Sequence, residues 1–125
     1  MAAGFVIASF ALAFAQRPGW ATSDTKLDLH VDPGSFLGQV ASMWTHSIDL
    51  GAVASTQYAG YLWPMGPIFA FLHWIGLSAW VSQRIWLGLI FAVSAWGVLR
   101  LMDAFVGRPR RTAHVVAAAF YVLNP

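Results

Sequence analysis

The feature that most constrains this chain is a set of apolar runs almost free of charge. Ile85 to Leu99 holds no ionisable residue and is framed by Arg84 and Arg100. Ala2 to Gln16 is equally uncharged, and Ile68 to Val81 is apolar with His73, Ser78 and glycine as interruptions. In hydrocarbon the backbone must satisfy its own amides, so such runs become helices. At about 1.5 Å per residue, Ala2 to Gln16 reaches roughly 23 Å, against a hydrocarbon core of about 30 Å. Ile85 to Leu99 spans if the arginines at both ends snorkel. Only 10% of the residues are charged, where soluble domains carry about 25%. The expected fold class is therefore all-α and multi-pass membrane. A net charge of +2, with Arg108-Pro109-Arg110-Arg111 as the one basic cluster, offers no stripe for nucleic acid. The absence of cysteine excludes a disulfide framework and a thiolate metal site.

In chain order the expected organisation is as follows. Residues 1–16 form a first transmembrane helix. Ala13-Phe14-Ala15 resembles a signal-peptide cleavage site, but no Lys or Arg precedes the apolar run. Residues 17–64 form a loop containing an amphipathic helix over 33–45, with Phe36, Leu37, Val40, Met43 and Trp44 at helical spacing. Residues 65–83 form a re-entrant or interface helix opened by Pro64-Met65-Gly66-Pro67. Residues 84–106 cross the membrane, 107–111 are a basic cytoplasmic loop, and 112–125 begin a further transmembrane helix. The positive-inside rule sets the basic loop in the cytoplasm, which makes 17–64 external if 65–83 does not cross. Both chain ends lie close to helix ends, as in a piece of a longer protein.

The polar stretch is Asp24 to Gly34, which carries three of the five acidic residues. Leu27, Leu29 and Val31 alternate with Asp24, Lys26, Asp28, His30 and Asp32, so the expectation is an extended ribbon with one polar face. Asp32-Pro33 reads as a helix N-cap followed by Pro at the first helical position. Asp24 and Asp28 have no such local explanation. Carboxylates beside a bilayer point to function, although acidic loop residues also serve simply as turn caps. His73 reads as a hydrogen-bonded interior residue.

Four strings together resemble the start of the actinobacterial α-(1→3)-arabinofuranosyltransferases, large membrane glycosyltransferases of the GT-C fold. They are Asp24-Thr25-Lys26-Leu27-Asp28-Leu29, Asp32-Pro33-Gly34, Gln57 to Pro67 (QYAGYLWPMGP) and Trp80 to Trp86 (WVSQRIW). Trp63 and Ile68 stand where the family pattern carries Phe. The resemblance implies that this chain is an amino-terminal fragment, inactive on its own. It also implies a decaprenyl-phosphoryl-arabinofuranose donor held in the lipid bilayer, and an acceptor arabinan of the cell wall or of lipoarabinomannan.

The resemblance further implies an inverting transfer with an Asp general base in the first external loop. Asp24 matches by position, with Asp28 second. The acceptor hydroxyl must lose a proton as it attacks the anomeric carbon, and a carboxylate within reach can take it. The leaving phosphate needs cationic or N–H donors, for which Lys26, His30 and Arg84 are the candidates. Lys26 can equally neutralise its acidic neighbours, and Arg84 can equally be a helix-end residue. Tyr58, Tyr61 and Trp63 can stack on sugar, line a lipid groove, or simply sit in an interfacial aromatic belt. No metal site is expected as such, but His30 with Asp28 and Asp32 leaves a divalent cation possible. The competing reading is a non-catalytic multi-pass protein, a transporter piece or an assembly subunit. Transporters carry ionisable residues or broken helices at mid-membrane, whereas these charges, His73 apart, lie at segment ends.

Overall fold

The computed structural model describes residues 2–21, 27–42, 44–45, 51–53, 59–107 and 112–123. Their regular secondary structure is helical apart from one minimal antiparallel pair, β1 (Trp44–Thr45) with β2 (Ala52–Val53), in which Trp44 faces Val53. Two compact units divide the chain: residues 1–18 with 84–125, and residues 19–83.

The first unit is built from α1 (Ala2–Phe14), most of α6 (Ala79–Phe105) and α7 (Thr112–Leu123). At 27 residues, α6 is about 40 Å long. It is the one helix among the described residues long and apolar enough to cross a membrane. The apolar helices α1 and α7 are shorter, at 13 and 12 residues. Small residues let these helices approach closely: Ala13, Ala95 and Ala118 are fully buried, and Gly88 lies against the ring of Phe10. Ile90, Val93, Trp96 and Leu101 are exposed on α6. Arg100 places its guanidinium 5.3 Å from the centre of the Trp96 ring.

Between α6 and α7 the chain turns at Gly107, whose φ is 83°. His114, fully buried in the first turn of α7, has Nε2 3.2 Å from the Gly107 carbonyl oxygen and 3.9 Å from Asp103 Oδ1. The histidine thus meets a carbonyl two residues beyond the end of α6.

The second unit holds α2 (Leu27–Val31), α3 (Pro33–Val40), the β pair, α4 (Ala59–Leu62) and α5 (Met65–Trp74). Leu29, Pro33, Phe36, Phe69 and Leu72 form its core, where α3 packs on α2, α4 and α5. Gly66 is buried against Leu37 and the Tyr61 carbonyl.

Several expectations are corrected here. The extended ribbon expected over Asp24–Asp32 does not form over its described part: Leu27–Val31 is helical, and the Asp32 N–H donates to the Asp28 carbonyl at 2.9 Å, while Asp24–Lys26 lie outside the described residues. Over five residues a period of two cannot be separated from a helical turn, and burial decides. Leu29 and His30 go inward while Leu27 and Val31 stay exposed, so the three apolar residues do not share a face.

The helix placed at 33–45 stops at Val40, and Trp44 enters the β pair with its N–H donating to Ser42 Oγ. The stretch 65–83 is not one helix. It breaks after Trp74, where Gly76 takes φ 83°, its N–H donates to the His73 carbonyl, and the Leu77 N–H donates back to the Leu72 carbonyl. This pairing is a Schellman turn, which requires a residue tolerant of positive φ. The long helix consequently starts at Ala79, five residues before the expected boundary at 84. The final helix is observed over Thr112–Leu123.

Candidate functional site

Asp24, Lys26 and Tyr58 lie outside the described residues. Asp28 sits in the first turn of α2 with its side chain exposed. Asp32, one turn later, is committed to another task. Its Oδ1 accepts from the Ser35 N–H at 3.1 Å and its Oδ2 from the Ser35 hydroxyl at 2.6 Å. This is the N-cap of α3, with Pro33 opening the helix. The Ser35 hydroxyl first, then the Ser35 N–H, hold the Asp32 carboxyl below the usual carboxylate range, with His73 and the Gly34 N–H adding smaller contributions. A carboxylate with both oxygens engaged and its basicity lowered is a weak proton acceptor.

His73, expected in the interior, is exposed on α5 and contributes to the electrostatic surroundings of Asp32. Among the described residues of this unit the interior histidine is His30. It is buried, with its ring edge-on to Phe69 at 5.2 Å between centroids. Tyr61 is half-buried and packs edge-on to Phe36 at 6.0 Å. Trp63 is 76% exposed. Among the described residues no group of three His or Asp side chains is placed to hold a metal ion, so His30, Asp28 and Asp32 do not come together as a ligand set.

Arg84 belongs to the other unit. It is only 3% exposed, and its Nη1 donates to Oε1 of Gln16, two residues beyond the end of α1. Gln16 was not singled out in the sequence. The amide at the end of an apolar run was a visible signal, but its partner is 68 positions away.

With this geometry in place, comparison with known proteins decides the family. The model of the alpha-(1->3)-arabinofuranosyltransferase N-terminal GT-C domain matches residues 8–125. The chain belongs to this family. It is 39% identical over 118 residues to the alpha-(1->3)-arabinofuranosyltransferase of Mycobacterium tuberculosis and 37% identical to that of Mycolicibacterium smegmatis. Each alignment covers 94% of this chain and 8% of the relative. Among solved structures, it is similar to a mutant form of the arabinofuranosyltransferase AftD from Mycobacteria, with a TM-score of 0.88 and 35% identity over 99% of this chain and 10% of that one. A second AftD structure gives 0.86 and 34%, over 98% and 9%.

The chain spans less than a tenth of the length of the curated relatives it matches. Within this GT-C segment the described part of the acidic stretch presents one exposed carboxylate without a capping task, that of Asp28.

Proposed function

We propose that this GT-C segment supplies the general base for arabinofuranose transfer from a polyprenyl-phosphate donor, decaprenyl-phosphoryl-arabinofuranose, to a cell-wall arabinan. The acceptor hydroxyl oxygen attacks the anomeric carbon, the bond from that carbon to the phosphate oxygen breaks, and polyprenyl phosphate leaves. The configuration inverts, and the hydroxyl proton passes to a carboxylate. Asp24 holds that role by its position in the family pattern, and Asp28 is the alternative. The observation that carries this choice is the occupation of Asp32. With both its oxygens on Ser35, the other two carboxylates of the stretch are left for proton transfer.

Lys26 and Arg84 are assigned to the departing phosphate, each as a cation that offsets its charge. His30, buried against Phe69, is better explained by packing. The exposed Trp63 is assigned to sugar or lipid contact, with Tyr58 and Tyr61 as its companions in sequence.

The same reading makes the protein a multi-pass membrane enzyme. In it α6 crosses the bilayer, residues 107–111 are cytoplasmic and residues 17–64 external. The ten residues of α5 reach only about 15 Å, and Phe71, Trp74 and Ile75 are exposed. Both features support a helix lying at the bilayer interface.

The test is Asp24→Asn and Asp28→Asn, each in the complete enzyme in membranes, with kcat and KM measured for arabinose transfer. Loss of the base lowers kcat by roughly 10²–10⁴-fold at unchanged membrane insertion. Near-normal kcat in both variants would remove this stretch from the chemistry and favour a non-catalytic role for the segment.

A further inference from the structure

The structure assigns to Gln16 a positioning role that nothing in the family comparison gives it: its amide oxygen keeps the place of a donor phosphate oxygen on Arg84. This inference rests on the assignment of Arg84 to the phosphate. Arg84 is almost wholly buried in the early turns of α6, whereas Gln16, which accepts from its Nη1, is exposed just past the end of α1. The buried cation therefore has a surface side chain bonded to it.

A guanidinium withdrawn from water must keep hydrogen-bond acceptors or carry a large desolvation cost. An amide oxygen meets that need for one N–H without neutralising the charge. A phosphate oxygen makes the same bond charge-assisted, which is shorter and roughly twice as strong, and the planar fork of Arg accepts phosphate in bidentate fashion. The exchange of Gln16 for a lipid phosphate then trades a neutral bond for a charged one. Because Gln16 is exposed, it can turn into solvent without unpacking the helices.

A plain structural clamp makes the opposite demand. If the pair served only to tie α1 to α6, Glu at position 16 would serve as well or better, since it reaches equally far and adds charge. If Gln16 keeps the phosphate's place, Glu is an anion already seated there and competes with the donor.

The experiment uses the complete enzyme, purified in detergent, with four variants: Gln16→Glu, Gln16→Met, Arg84→Lys and Arg84→Gln. Two readouts are taken, the Kd for a polyprenyl phosphate and the KM and kcat for the lipid-linked sugar donor. Unfolding temperature reports the integrity of each variant. Gln16→Glu is expected to raise both Kd and KM about tenfold or more with kcat changed less than about twofold. Gln16→Met, of similar length but without the acceptor, is expected to lower Kd. Wild-type Kd and KM in Gln16→Glu, joined to weakened binding in Gln16→Met, would show a clamp and overturn the proposal.

The Arg84 variants separate the two levels. If Arg84→Gln leaves Kd and KM unchanged, the phosphate assignment itself falls. If Arg84→Gln weakens binding, Arg84→Lys partly restores it, and Gln16→Glu does nothing, then only the role of Gln16 falls. Should Gln16→Glu fail to accumulate as folded protein, the direction of the Kd change in Gln16→Met decides alone.

Discussion

The unit over residues 19–83 and the unit formed by residues 1–18 and 84–125 hold their helices in different ways. Among the described residues, the helices lying wholly within the former do not exceed ten residues, under the length at which a helix is stable by itself in water. Its helices depend on termini and packing: the Asp32 cap, the Schellman turn at Gly76, and a small core centred on Phe69. In the latter, α6 satisfies its own backbone over 27 residues. There the approach of small and large side chains carries the packing, with Gly88 under Phe10 as the tightest example. The lesson is that the same substitution should cost more where short elements share one small core than where long helices slide on one another.

Gly66→Ala and Gly88→Ala test that difference directly. At Gly66 an added Cβ would stand 2.5 Å from Leu37 Cδ2 and 2.6 Å from the Tyr61 carbonyl oxygen. Leu37 can rotate, but the carbonyl belongs to the backbone of α4 and cannot. The expected cost is about 3 kcal/mol, the upper end of the usual overpacking range, seen as a lowered unfolding temperature and faster amide exchange in α3. At Gly88 the three atoms nearest the added Cβ all belong to the Phe10 ring, the first at 2.7 Å, and a ring can shift. Part of that cost is returned, because Ala is favoured over Gly in a helix by about 1 kcal/mol. Gly88→Ala is therefore expected to cost about 1 kcal/mol, and Phe10→Leu in the same chain should relieve it. Equal costs at the two glycines would break the comparison.

Much of the second contrast was legible in the residues themselves. The long helix announced itself as an uncharged run, because composition alone decides what hydrocarbon accepts. Its start was misplaced because Ser82, Gln83 and Arg84 are polar without being helix breakers. The Ser82 N–H and hydroxyl both bond the Ser78 carbonyl, and Ser82 and Arg84 are buried.

Asp32-Pro33-Gly34-Ser35 was legible as a cap because the capping bond spans three residues. Gly76 gave a signal that was passed over: one glycine within an apolar run suffices to turn the chain when its neighbours close a Schellman pair. Leu27–Val31 was not legible, since its helical state follows from what Leu29 and His30 pack against. The Gln16–Arg84 bond was likewise beyond local reading, because periodicity carries no information about partners 68 residues apart. His73 and His30 exchanged their expected environments for the same reason.

The smallest expected effect sharpens the account of the capped unit, and it depends on pH. Asp32 has its carboxyl pKa lowered in the fold by the Ser35 hydroxyl and N–H. The unfolded chain then binds a proton more readily than the folded one, so stability rises with pH across that interval. The contribution is complete above the unfolded value, near 3.9, and is lost as pH falls through the lower folded value. Asp32→Asn is the informative substitution, since Asn is also a good N-cap but carries no charge. Unfolding temperatures of the wild type and the variant, measured from neutral pH downward, should differ slightly at neutral pH and converge in acid. A difference that persists unchanged in acid would mean that the charge is irrelevant and that cap geometry alone holds α3. Because Asp32 is exposed, salt should shrink the part of the difference that comes from His73 and leave the part that comes from Ser35, which separates the through-space contribution from the cap itself.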